Sequence, residues 1–187
     1  MDTPSSNPRF RLRGNRKYLS ATTVFDWITE SLVNPTNIDF QFHTFTGNHA
    51  NVSSKPSQTD RLVATYRSSH KTVYLVETDE PILERYNCNE QQILSTVNFN
   101  STSGLFCFPL VDSATYIEYV VATYKAMLEG TDDGKMGKLI FGRVRADSVP
   151  IGGSCVIEHR RKIGKQFFEA KLLCNDEKIG SLYFGQQ

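Results

Sequence analysis

Apolar positions along the chain switch between two spacings, and each switch marks an element. Arg9-Phe10-Arg11-Leu12-Arg13 alternates charge with an apolar side chain, the period of a half-buried strand. Between Ala21 and Val33, the residues Val24, Trp27, Ile28 and Leu32 recur at helical spacing. Ser20 is placed to cap that helix, and Asn34-Pro35 to stop it. Ile38 to Phe45 returns to period two, with Ile38, Phe40 and Phe42 on one face. A polar loop is predicted over 46–60, followed by strands at 61–67, 72–77 and 93–99. Leu105-Phe106-Cys107-Phe108 reads as a short apolar strand. Asp112 or Ser113 then caps a helix ending near Leu128, with Ile117, Val120, Val121 and Tyr124 on one face. After a solvated loop at 131–135, strands are predicted at 138–145, 154–161, 165–173 and 178–184. Ile163-Gly164 and Asn175-Asp176 supply the turns between the last three.

Each half therefore reads strand, helix, then four strands. Ser20-Ala21-Thr22 matches Ser113-Ala114-Thr115 at an offset of 93. The same offset pairs Val63 with Val156 and Arg67 with Arg160. The expectation is an α+β chain built by internal duplication, with a tail at 1–8 and units at 9–103 and 104–187. A single α+β domain with two similar helices is the alternative.

Composition narrows the functional classes. Of 187 residues 39% are hydrophobic, with 12 Phe and 8 Tyr, enough to fill a core. Lys and Arg number 21 against 20 Asp and Glu, a net charge of +1, which argues against a general nucleic-acid binder. No apolar run approaches the ~18 residues a membrane span needs. The first eight residues lack the apolar centre of a secretion signal, so a cytoplasmic location is expected. Four cysteines stand at least 19 residues apart with no Cys-x-x-Cys pair, so no metal site is expected. Cys107, Cys155 and Cys174 sit among apolar neighbours and read as small buried hydrophobes.

A long helix on a curved antiparallel sheet, led in by one short strand, is the plan of the hotdog fold. Leu110-Val111-Asp112-Ser113-Ala114-Thr115-Tyr116-Ile117-Glu118-Tyr119 resembles the helix start of acyl-CoA thioesterases of the 4-hydroxybenzoyl-CoA type. That family reads His-Val-Asn-Asn-x-x-Tyr before an amphipathic helix. Val149-Pro150-Ile151-Gly152-Gly153-Ser154 is similar to its Pro-x-x-x-Gly-Asp turn, and the segments at 159–165 and 175–180 also fit. The resemblance implies a tandem double hotdog, in which two units of one chain form the pair that other members build as dimers. The chain would then be a monomer acting as a pseudo-dimer, or a higher homo-oligomer.

The resemblance also implies an activity. An acyl thioester of CoA or of an acidic carrier protein would be hydrolysed or otherwise processed between the units. The helix N-terminus would polarise the thioester carbonyl, and a nearby carboxylate would activate water. No separate cofactor is implied, since CoA or phosphopantetheine belongs to the substrate. Asp112 is the local candidate for the carboxylate, with Ser113, Tyr116 and Glu118 around it and His43 as a possible base from the first half. Arg160, Arg161 and Lys165 are candidates to grip phosphates or an acidic carrier. Each has a plainer role: helix cap for Asp112, solvated helix residue for Glu118, packing for Tyr116, exposed strand positions for the rest. The family's catalytic Asp precedes the matched Tyr, but Ser103-Gly104-Leu105-Phe106 holds no acid. A hotdog-like scaffold that binds an acyl chain or a partner without catalysis is therefore the alternative.

Overall fold

The computed structural model describes residues 7–100, 105–109, 114–132, 137–151, 154–164 and 166–187. The chain forms two compact units, Met1–Cys88 and Asn89–Gln187.

In the first unit, α1 (Ala21–Glu30) buries Ala21, Thr22, Val24, Phe25 and Ile28; of the expected face, Val24 and Ile28 are buried, while Trp27 and Leu32 are half-buried. It ends three residues short of Val33: the Ser31 hydroxyl bonds the Trp27 carbonyl at 2.7 Å, and the Leu32 amide reaches back only to Thr29, at 3.2 Å. Val33 is left 87% exposed. Ser20 holds the N-cap position, but its hydroxyl bonds the Thr22 hydroxyl instead of a helix amide. β2 (Ile38–Phe42) alternates buried and half-buried residues as read. It pairs antiparallel with β4 (Leu62–Arg67), β4 with β5 (Thr72–Pro81), and β5 with β3 (Asn48–Ser53). Phe25, Phe40 and Tyr66 meet in the core with ring centres 5.4–6.5 Å apart.

Three expectations need correction. The predicted loop at 46–60 contains β3, whose polar Asn-His-Ala-Asn-Val-Ser conceals a strand because only His49 and Ala50 are buried. The expected strand at 9–13 keeps its alternation only as far as Leu12: Phe10 and Leu12 are buried, but so is Arg13. Only β1 (Leu12–Arg13) forms a ladder, parallel to β6 (Arg85–Tyr86). The expected strand at 93–99 begins instead as α2 (Glu90–Leu94), capped by the Asn89 side chain on the Gln92 amide, and leaves only β7 (Asn98–Asn100) extended.

In the second unit β8 (Leu105–Pro109) leads to α3 (Tyr116–Glu129), followed by β9 (Leu139–Ala146), β10 (Ser154–Ile163), β11 (Phe167–Cys174) and β12 (Glu177–Gln186). α3 is buried along most of its length, from Tyr116 to Leu128, and packs on the sheet's apolar face of Cys155, Ile157, Phe168, Ala170, Leu172, Leu182 and Phe184. Each such large side chain contributes roughly 1.5–3 kcal/mol by leaving water. Asn175 and Asp176 both take positive φ, 50° and 66°, the two-residue hairpin turn that matches sheet twist. Between His159 and Arg161 one extra residue bulges from β10, reversing which side of the sheet the later residues face.

The units share parts but not one strand order. After its helix, the first unit arranges its four strands β2-β4-β5-β3, while the second arranges them β9-β12-β11-β10 and adds β8 and β7 beyond β10. The offset of 93 that equates Val63 with Val156 thus sets the third strand after one helix against the second after the other. The two helices are also unequal, at 10 and 14 residues.

Gly180 lies where β12 crosses close to β9, and a Cβ there would run into the Arg145 carbonyl oxygen. Gly180→Ala should destabilise the protein by about 1–3 kcal/mol, read as a lowered denaturation midpoint, whereas Gly142→Ala, with open space around it, should cost much less.

Candidate functional site

The start of α3 is built by two neighbouring residues with different jobs. Thr115 is the N-cap: its Oγ1 accepts from the Glu118 amide at 3.3 Å, and Glu118 Oε2 accepts from the Thr115 amide at 3.2 Å. This reciprocal pair is a capping box, visible in the sequence as Thr-x-x-Glu. The cap is therefore Thr115, in place of the expected Asp112 or Ser113, and the Glu118 carboxylate is engaged in it. Asp112 and Ser113 lie outside the described residues.

Tyr116, the first helical residue, is 6% exposed. Among the described residues nothing hydrogen-bonds its hydroxyl. Burial pushes the phenol well above its ordinary range, and the nearby thiols of Cys155 and Cys174 push the same way, so it stays protonated as a donor. An unmet buried hydroxyl typically costs about 1–3 kcal/mol. The other buried tyrosines of α3 are satisfied. Thr96 Oγ1 bonds the Tyr119 hydroxyl at 3.4 Å, and Tyr124 shares a 2.9 Å bond with His159 Nδ1. In the first unit burial pushes Tyr66 up to about 12, and its hydroxyl, like that of Tyr116, makes no hydrogen bond among the described residues.

The outer face of the same sheet carries the expected basic residues. Arg160 pairs with Glu158 at 2.8 Å and Arg161 with Glu169 at 2.7 Å, while Tyr183 donates to Glu169 at 3.0 Å. The hydrogen bond from Arg161 is the main reason the Glu169 carboxyl is held below its usual value. Glu158, Arg160, Arg161 and Glu169 line an open groove of about 770 Å³ with Lys171 and Lys178, four cations against two carboxylates. Lys165 lies outside the described residues. The structure thus gathers Tyr116 and Glu118 at one helix end and Arg160 and Arg161 on one strand.

His43 belongs to the first unit, just beyond β2, where its Nε2 meets the Thr65 hydroxyl at 2.9 Å. Desolvation first, then the Arg67 charge, lowers its pKa below 6.5. Two associations went unread in the sequence: Tyr124 with His159, and Cys155 with Cys174. The second had only a weak signal, since the extra residue in β10 leaves Cys155 eight residues from the closing Ile163–Phe167 pair and Cys174 seven. Among the described residues, no group of three or more His, Cys, Asp or Glu could hold a metal ion, and no helix is long and apolar enough to cross a membrane.

No protein-family model matches the chain, and no curated protein matches it in sequence. Several solved structures resemble it, three of which follow. One is a protein of Thermobifida fusca YX assigned as a thioesterase II, at 10% identity and TM-score 0.44, over 91% of this chain and 86% of that one. A second, assigned as a thioesterase of Novosphingobium aromaticivorans, has 12% identity and TM-score 0.46 over 91% and 88%. The tesB protein of Mycobacterium avium subs paratuberculosis has 8% identity and TM-score 0.47 over 94% and 89%. At these values they transfer no residue role.

Because folded His43 holds its proton less tightly than an unfolded histidine, the unfolded state gains protons first as pH falls through 6.5. Stability should therefore decline from pH 7 down to the lowered native pKa. His43→Asn should flatten that part of the melting-temperature profile, and an unchanged slope would show that His43 does not produce it.

Proposed function

We propose that the second unit is a hotdog-type domain that hydrolyses acyl thioesters at the N-terminus of α3. The observation that carries this reading is the buried, unpartnered Tyr116 hydroxyl in the first helical turn. A donor held in a desolvated place beside a helix N-terminus suits one task, holding a carbonyl oxygen that becomes negative in the transition state. A thioester carbonyl there would accept from Tyr116 and from the first-turn amides. Water would add to the carbonyl carbon and the thiol would leave. Asp112 is the proposed base or water-positioner, with Ser113 next to it.

The finer reading is a tandem of two hotdog-related units, with the first in a rearranged strand order. CoA phosphates or an acidic carrier protein would meet Arg160, Arg161 and Lys165, the two arginines exchanging Glu158 and Glu169 for the ligand. His43 and Glu118 are secondary candidates, each with a hydrogen bond that already occupies it.

One observation favours the alternative, an acyl-binding protein without catalysis. The Glu118 carboxylate is consumed by the capping box, which leaves Asp112 to act alone. Native mass spectrometry finding a bound acyl chain, with no thiol released from acyl-CoA or acyl-pantetheine substrates, would decide for binding.

The hydrolase reading makes two demands of opposite sign on one substitution. Tyr116→Phe should lower kcat by about 10²-fold or more in a thiol-release assay. It should also leave the protein as stable as before, or up to about 1 kcal/mol more stable, because an unmet hydroxyl is removed. Asp112→Ala should abolish turnover. Thiol release unaffected by both changes would refute this site.

A further inference from the structure

Cys155 and Cys174 face each other across β10 and β11, with sulfurs 3.2 Å apart. The Asn175 amide donates to the Ser154 carbonyl at 3.0 Å, just outside the pair. That bond marks the two cysteines as a non-hydrogen-bonded cross-strand pair, the kind whose Cα atoms approach to about 4.5 Å and whose side chains come closest. Disulfides span Cα separations of roughly 4.4–6.8 Å, so the backbone already stands where a bridge can close. The sulfurs need to approach by only about 1.2 Å to reach the ~2.05 Å bond length. All four cysteines are thiols in this structure.

We propose that Cys155 and Cys174 form a reversible redox site, closing to an intramolecular disulfide when the protein meets a peroxide. Cys174 is the better placed to react first. It ends β11 beside the Asn175-Asp176 turn and is 7% exposed, against 1% for Cys155. Its thiolate attacks one peroxide oxygen: an S–O bond forms, the O–O bond breaks, and the leaving oxygen departs as water after protonation. The Cys155 sulfur then attacks the Cys174 sulfur, forming the S–S bond and breaking the S–O bond. The expelled hydroxide takes the Cys155 proton and leaves as a second water. Two thiols lose two electrons and the peroxide becomes two waters; a dithiol reverses the change by exchange.

Burial raises the Cys155 thiol above its ordinary range, so it is a poor free nucleophile. Contact with the Cys174 sulfur substitutes proximity for intrinsic reactivity. The crosslink would tie β10 to β11 beside Tyr116. Any effect on acyl turnover rests on the reading of Tyr116 above, but the crosslink itself does not.

The test uses the wild-type chain. It is treated with hydrogen peroxide, alkylated, and analysed by intact mass and tryptic mapping. The expected result is loss of two hydrogens, two of the four thiols still alkylated, and a linked peptide joining residues 146–160 to 172–178 that dithiothreitol opens. Cys174→Ser should remove the link, and Cys88→Ser should keep it. Four intact thiols, a sulfinic acid on Cys174 without a link, or a link through Cys88 or Cys107 would overturn the proposal. The link is read by mass, so a protein without thioesterase activity would still support or refute it.

Discussion

A helix buried along most of its length carries tyrosine hydroxyls into a place where water cannot serve them. That constraint organises the second unit. Tyr119 and Tyr124 are each brought to a side-chain partner, one on Thr96 after α2 and one on β10, and both partners are in turn held by the elements that carry them. The apolar face of the sheet could accept α3 in many rotations; these hydroxyls help to restrict it to one. Tyr116 obeys the same burial without the same reward, and the chemistry suggested for this unit follows from that imbalance.

Opposite-signed neighbours organise the other side of the sheet in a looser way. Arg160 and Arg161 follow one another in sequence, yet each has its own carboxylate, and Lys171 stands 3.7 Å from Glu158. Exposed pairs of this sort add little to stability, commonly below ~1 kcal/mol. Their value lies in keeping a run of cations from repelling itself while leaving it able to trade partners. A groove lined this way stays solvated and available, which an apolar groove of equal size would not.

How much of this could be read from the sequence depends on which force sets each feature. Helix faces and the strands β2, β4 and β9 to β12 were legible, because burial leaves a periodic apolar trace. β3 left none: its partner supplies backbone bonds, and Ala50 is its one fully buried apolar side chain. α2 was misread because one apolar residue, Ile93, was taken for the start of a strand, although Asn89 already marked a helix cap. The Thr115–Glu118 box was present as a motif but lay behind Asp112 and Ser113, two equally good caps. Strand order was beyond reach, since the same alternation serves any neighbour. The empty hydroxyl of Tyr116 was also beyond reach, because a hydrogen bond that is not made has no sequence signature.

The extra residue between His159 and Arg161 has a consequence for how this chain can vary. Before it, alternate residues Cys155, Ile157 and His159 point toward α3; after it, Lys162 takes that side, lying over the Phe168 ring at 5.4 Å. Deleting Arg160 would leave an unbulged ladder, in which Arg161 still stands opposite Glu169 and Lys162 still opposite Phe168. The bulge therefore gives β10 one residue of slack, which a regular strand lacks. Its length can fall by that residue without changing which of its side chains face α3.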